Sequence, residues 1–426
     1  MRALVLGKGK SGEAAEALLK AQGAEVVVLA DDKRDRIEGE GFDFAVVSPG
    51  IALTHPWIVE AKRRGIPLKS ELQLGCEELR HQGWRLLAVT GSKGKSSVVK
   101  VVADAISLAG LKAVACGNYG VPVSEVAFED GRRETEDWKA RWAVVEVSSF
   151  MMETTTLPPD AFEAAAILNL QEDHLDRHGS VEVYHGLKRK LLTMTKLGLG
   201  PAATGMRGLR LSRFRSAVPQ AEASLWHDSY FDNEILAGNA AMAVELMRVA
   251  GLDDATIAKA FGRFEPLPHR MNLVAEFGGV RYVDDSKATS LSALAAGVKM
   301  ASSRTNAESR GQETEDRRQP KRIRLVAGGL PKGDDPKSVL STLTERVKKV
   351  YLIGQCAEVF QMAWKGAVDC EICGTLDRAV ERAACEAGKG ETVLLSPGTA
   401  SFDQFKSFGE RGEVFARLVK EKEKQK

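Results

Sequence analysis

The chain has 426 residues, 44% hydrophobic and 28% charged, the mix of a globular protein with room for roughly two to four domains. Lys and Arg number 60 against 58 Asp and Glu, a net charge of +2, which argues against a nucleic-acid or membrane-surface footprint. No apolar run approaches a membrane span, and Met1–Gly7 is too short in its apolar part for a signal peptide, so a cytoplasmic location is expected.

In chain order, Arg2–Leu6 reads as a strand, Gly12–Ala21 as a helix, and Glu25–Leu29 and Phe44–Val47 as further strands, the last followed by the turn Ser48-Pro49-Gly50. Strands alternating with helices predict a parallel sheet. The polar stretch Arg80–Gly83 closes a first domain, 1–83. A second, 84–265, holds the strands Leu86–Thr90, Ala113–Cys116, Trp142–Val147 and Ala164–Leu168, a helix from Lys95 to about Ala109, and another from Asn239 to about Val249. Residues 195–229 read as irregular. The prolines of Phe264–Pro268 mark the second linker, and a third domain, 266–426, shows strands at Val280–Val283, Ile323–Ala327, Val350–Ile353 and Thr392–Leu395. The Ser302–Arg322 run has no hydrophobic period and reads as a solvated, mobile insertion. Cys370-x-x-Cys373 has no second pair and reads as reduced thiols rather than a zinc or redox site.

The chemistry is densest after Leu86–Thr90. The loop Gly91-Ser92-Lys93-Gly94-Lys95-Ser96, with Ser97 behind it, follows a short apolar strand and opens a helix. Glycines let the backbone turn its N–H groups toward an anion, and the helix presents its positive end to that anion. Lys95 can reach terminal phosphates, and the Ser96 hydroxyl can ligate magnesium. The pattern is a shortened Gly-x-x-Gly-Lys-Ser, since Val89 stands where the longer loop carries its first glycine. An ATP-using enzyme is the reading.

That loop, Val144-Val145-Glu146-Val147-Ser148-Ser149-Phe150, and Asn169-x-x-x-Asp173-His174-Leu175-Asp176-Arg177-His178-Gly179 together resemble the Mur ligase family. So do Pro268-His269-Arg270, Asp284-Asp285-Ser286-Lys287-Ala288-Thr289 and Leu395–Phe405, in the family's order over all three domains. The Leu395–Phe405 string and Ser48-Pro49-Gly50-Ile51 most resemble its D-glutamate-adding branch. The resemblance implies an α/β protein with a Rossmann-like UDP-binding domain, a central P-loop ATPase-like domain and a Rossmann-like C-terminal domain. It implies ATP, two Mg2+ ions, UDP-N-acetylmuramoyl-L-alanine and D-glutamate as ligands, an acyl-phosphate intermediate, and a monomer. L-glutamate, or another amino acid, remains an alternative, because residue types do not report chirality.

The resemblance also assigns roles. Ser96 and Glu146 would hold one magnesium, and His174 with a carbamylated Lys188 the second, with Lys95, His174, Lys188 and Lys287 carrying the chemistry. Gly91–Ser97, Asn239, Arg270 and Asp285 would bind ATP; Lys10, Ser11, Asp31, Ser48 and Asn118 the UDP substrate; Lys287, Thr289, Lys332, Ser401 and Phe408 the amino acid. Taken alone, His178 reads as a solvated turn residue and the run around Lys188 as a basic helix face. Two departures stand out: Met242 where relatives often place a second asparagine, and Pro331 where an acidic residue is common.

A rival comes from Gly7-x-Gly9-x-x-Gly12 with Asp31 or Asp32 about 20 residues on, the dinucleotide fingerprint of an NAD-dependent oxidoreductase. Those glycines recognise phosphate rather than nicotinamide, and a UDP pyrophosphate would fit them equally well.

Overall fold

A computed structural model describes residues 1–425 except 31–35, 132–139, 202–213, 217–218, 234 and 308–320, and of 214–216, 219–221 and 303–307 only the backbone. Three mostly parallel sheets carry the chain. The first contains β1 (Arg2–Leu6), β2 (Glu25–Leu29), β3 (Phe44–Val47) and β4 (Leu68–Ser70) in the order β2-β1-β3-β4. The second contains β5 (Arg85–Thr90), β6 (Lys112–Gly117), β7 (Arg141–Glu146), β8 (Ala164–Ile167), β9 (Gly198–Gly200) and β10 (Phe214–Ser216), ordered β10-β9-β8-β5-β7-β6. The third contains β11 (Asn272–Phe277), β12 (Val280–Asp284), β13 (Ile323–Gly328), β14 (Val347–Ile353), β15 (Asp369–Gly374) and β16 (Thr392–Leu395), ordered β11-β12-β16-β13-β14-β15.

Every pairing in the first two sheets is parallel, which requires helical crossovers and buries both faces. That is why Leu86–Val89 and Trp142–Val145 are apolar without alternation and almost completely buried. At about 1.5–3 kcal/mol for each fully buried large aliphatic side chain, these central strands dominate the stability of their layer. The third sheet adds one antiparallel edge, β11 against β12 through the two-residue turn Gly278-Gly279.

The chain divides into two compact units, one formed by Met1–Asp232 and Leu236–Phe264, the other by Asn233–Ile235 and Glu265–Lys426. The first two sheets belong to the first unit and share a core in which Leu72, Leu79 and Trp84 meet Val123, Val145 and Phe162. The third sheet has its own core around Tyr282, Val326, Tyr351, Leu395 and Phe415.

Several elements differ from the sequence reading. β4 has three residues, too short for a pattern, and β9 and β10 fall in the stretch read as irregular. β11 and β15 are edge strands with mixed exposure, so their alternation is weak. The helix Leu291–Ala307 runs into the stretch read as an insertion, whose 308–320 lie outside the described residues. Cys370 and Cys373 sit three apart on β15 with a register shift between Ile372 and Gly374, and each thiol bonds back to a local carbonyl.

Candidate active site

The second sheet brings four segments to its carboxyl edge: the loop Gly91–Gly94 after β5, Asn118 after β6, Glu146 ending β7, and Asn169 after β8. This edge, around the strand where the order reverses, is where open α/β sheets receive ligands. Gly94 caps the helix Lys95–Leu108 with φ +84°, and a Cβ there would fall 2.0 Å from Asn239 Nδ2. Only glycine satisfies both demands. Asn239, in the helix Ala237–Val249, is therefore packed on the loop, with Met242 buried one turn further along.

Asn169 clamps the loop from the next strand. Its Oδ1 accepts from Lys93 N at 2.9 Å and its Nδ2 donates to the Lys93 carbonyl at 2.8 Å. Ser92 Oγ meets the backbone of Gln171 at 3.0 Å, and the Tyr184 hydroxyl lies 3.2 Å from the same oxygen. Neither Asn169 nor Tyr184 is evident as a site residue from its type. The available signal is that Asn169 opens a motif string and Tyr184 stands four residues before Lys188.

Charges converge behind this loop. Lys95 Nζ donates to the Gly91 carbonyl at 2.8 Å and Lys188 Nζ donates to the same oxygen at 2.9 Å. Lys188 is 1% exposed, and burial, then the charge of Lys95, pushes its amine down to about 7, against the opposing pull of Asp173 and Glu146. The basic run around Lys188 is thus no solvated face at this position.

Glu146 is buried. Its Oε1 accepts from Asn118 Nδ2 at 2.7 Å, while Oε2 has no hydrogen-bond partner among the described residues. Leaving such an oxygen unmatched costs on the order of 1–3 kcal/mol, more when it is charged. A hard divalent cation would satisfy it, so the donor set fits magnesium. Ser96, in the first turn of the helix Lys95–Leu108, is half-buried.

His174 adopts φ +53°, with its ring 4.8 Å from Phe150 and 6.0 Å from Tyr184. His178 corrects the sequence reading, because it is buried rather than solvated. Its Nε2 lies 3.0 Å from Ser149 Oγ and its Nδ1 3.3 Å from Glu153, between the rings of Phe150 and Tyr184. Burial lowers its pKa, so at neutral pH it serves as a neutral packing and hydrogen-bonding group.

On the first sheet, Lys10 and Ser11 open the helix Lys10–Ala21, and Ser48 Oγ donates to the Gly7 carbonyl at 3.3 Å. A Cβ at Gly12 would lie 1.9 Å from that carbonyl oxygen, so this glycine serves helix–strand packing. Asp31 lies outside the described residues, and Asn118 belongs to the Glu146 group.

In the second unit, Asp284 ends β12 and Asp285 follows it into the loop that carries Lys287 and Thr289. His269 Nδ1 lies 2.7 Å from Asp284 Oδ2, and Lys287 N donates to the His269 carbonyl at 3.0 Å, which ties the Arg270 segment to this loop. Asp285 is buried, with Ser396 Oγ donating to it at 2.9 Å. Burial pushes its carboxyl up to about 7 against the influence of Ser396 and Arg270. Lys287 Nζ stands 3.7 Å over the ring of Phe408, and burial, then Arg270 and Lys332, lowers its pKa. Lys332 is exposed and Ser401 buried.

The family model of the Mur ligase middle domain matches residues 89–199. A UDP-N-acetylmuramoylalanine–D-glutamate ligase of Chlamydia abortus is 31% identical over 99% of the chain and 98% of that protein. One from Nitratidesulfovibrio vulgaris is 34% identical over 98% of the chain and 95% of that protein. Among solved structures, the UDP-N-acetylmuramate–alanine ligase MurC of Thermotoga maritima is alike in fold, with a TM-score of 0.59 at 14% identity and 100% of both chains covered. MurF of the same organism, in complex with ADP, reaches 0.58 at 15%, covering 92% of this chain and 98% of that one. The three-sheet α/β architecture with a phosphate loop is that of an ATP-dependent ligase. The chain belongs to the Mur ligase family. This replaces the oxidoreductase alternative.

Proposed function

We propose that the chain joins D-glutamate to UDP-N-acetylmuramoyl-L-alanine at the expense of ATP, in the cytoplasmic synthesis of a peptidoglycan precursor. The relatives' names supply the substrates. The observation that carries the chemistry is the convergence of Lys95, Lys188 and the unpaired Glu146 oxygen behind a phosphate loop.

In this reading a carboxylate oxygen of the UDP substrate attacks the γ-phosphorus, the bond to the β-phosphate oxygen breaks, and ADP leaves. The amine of D-glutamate then attacks the acyl carbon, and phosphate departs with the former carboxylate oxygen while the nitrogen loses a proton. Two anions must approach, so preorganised cations and N–H groups lower the barrier. Gly91–Ser97 and Lys95 cradle the phosphates, Asn239 holds the nucleotide side of the loop, and Arg270 and Asp285 complete its binding. Ser96 and Glu146 would hold one magnesium, and His174 with Lys188 a second. Magnesium, when bound, neutralises charge on the phosphate oxygens. A lysine amine must be neutral to add carbon dioxide, and the lowered pKa of Lys188 supplies that form near neutral pH, which supports its carbamylation. Lys10, Ser11, Asp31, Ser48 and Asn118 hold the UDP substrate, and Lys287, Thr289, Lys332, Ser401 and Phe408 the amino acid. Lys332 answers the second carboxylate.

The test is phosphate release from ATP with purified protein, omitting each substrate in turn and exchanging D- for L-glutamate. Release that needs both UDP-N-acetylmuramoyl-L-alanine and D-glutamate supports the reading. Equal release with L-glutamate overturns the assignment of the amino acid.

A further inference from the structure

Arg411 is fully buried, yet among the described residues no carboxylate pairs with it. Its guanidinium spends its donors on uncharged oxygens: Nε to Ser286 Oγ at 3.0 Å, Nη2 to the Ser286 carbonyl at 2.9 Å and the Thr399 carbonyl at 3.2 Å, and Nη1 to the Ala400 carbonyl at 3.3 Å. Burial lowers its pKa to about 10 against the opposing charges of Asp403 and Asp284, neither of which forms an ion pair with it, and this still leaves it a cation at neutral pH. A side chain chosen for stability alone would be apolar or paired, because a buried unpaired cation is costly.

The acceptors explain its place. Ser286 lies between Asp285 and Lys287, and Thr399 and Ala400 immediately precede Ser401. Arg411 itself projects from the helix Phe408–Glu423, whose first residue is Phe408, and Ser286 Oγ donates to the Phe408 carbonyl at 2.8 Å. The Ala400 carbonyl also accepts from Leu330 N at 3.0 Å, which draws in the segment bearing Lys332. One planar fork with fixed donor directions therefore joins the segments that carry Lys287, Ser401 and Phe408, and through Ala400 the one that carries Lys332.

We propose that Arg411 is the positioning residue of the amino-acid pocket: it fixes the mutual placement of Lys287, Ser401 and Phe408 and so sets the affinity for the incoming amino acid. This rests on the pocket assignment made above. A displaced pocket weakens the amino acid most, because three of its segments meet at Arg411, whereas of the groups assigned to ATP only the Arg270 and Asp285 segments border Ser286 and none of the described ones assigned to the UDP substrate does.

The experiment is steady-state kinetics of Arg411→Lys and Arg411→Met for all three substrates, with melting curves alongside. Expected is a KM for D-glutamate raised on the order of tenfold or more in Arg411→Met and less in Arg411→Lys, with KM for the UDP substrate within about twofold and KM for ATP raised clearly less than that for D-glutamate. A lowered melting temperature with all three KM values unchanged overturns the proposal, as does a uniform loss of kcat. Should Arg411→Met fail to fold, Arg411→Lys and Ser286→Ala decide by the same criterion. Ser401→Ala separates the two levels. If it raises the KM for D-glutamate while the Arg411 variants do not, only the positioning role fails; if it too leaves that KM unchanged, the pocket assignment fails.

Discussion

The phosphate-loop edge of the second sheet and the Arg411 cluster of the third are both buried polar regions, but they are finished to different degrees. At the first, an oxygen of Glu146 is unmatched among the described residues and two lysine amines share the Gly91 carbonyl. At the second, one guanidinium is met by four oxygens and makes four bonds. Unmet charge costs stability and is retained where ligands complete it, whereas a satisfied network fixes geometry in advance. The first region is built to be completed by phosphate and cations, the second to hold a shape.

The largest effect that could break this contrast is at Lys95. Lys95→Ala should lower phosphate release by roughly 10³-fold or more, as loss of a transition-state cation does, while binding of the UDP substrate, followed by calorimetry, stays nearly intact. Loss of both would mean that the two sites are not separate. Next is Glu146→Gln, which keeps the Asn118 contact but removes the charge. It should raise the magnesium concentration for half-activity on the order of 10–100-fold. An unchanged magnesium titration would remove Glu146 from the ligand set.

Lys188 gives the comparison a pH dependence. With its pKa lowered to about 7, the amine is mostly protonated below pH 7 and mostly neutral above. Carbamylation should therefore fall about tenfold per pH unit on the acid side, and added bicarbonate should restore it. A ¹³C carbamate resonance with bicarbonate, absent in Lys188→Ala, is the check; its absence from active enzyme would contradict the modification.

The smallest effect concerns stability in the second unit. Asp285 has a folded pKa raised to about 7, so between its unfolded pKa near 4 and 7 the unfolded chain ionises first. Its stabilising contribution is complete below pH 4, declines as pH rises and is lost above 7. Asp285→Asn should raise stability by about 1–3 kcal/mol at pH 8, with the gain vanishing toward pH 4, in denaturant titrations at each pH. A gain independent of pH would place the charge elsewhere.

The sequence made the phosphate-loop half legible because its groups sit at fixed points of a repeating unit. Lys95 and Ser96 follow the turn after a buried strand, and Glu146 ends another, so local pattern and topology coincide. His178 was misread because charged neighbours suggested solvent, whereas the rings of Phe150 and Tyr184 enclose it. Asn169 and Arg411 act through backbone partners 76 and 125 residues away, and no local spacing reports such contacts. Edge strands β11 and β15 escaped for the converse reason: half-exposed strands have little apolar signal.

The most direct test follows an oxygen atom. UDP-N-acetylmuramoyl-L-alanine labelled with ¹⁸O in its terminal carboxylate is turned over with ATP and D-glutamate, and the released phosphate is analysed by mass. An acyl-phosphate route transfers one labelled oxygen to each phosphate formed, in step with amide product. Phosphate free of label would contradict that route, and labelled phosphate released equally well with L-glutamate would contradict the choice of amino acid.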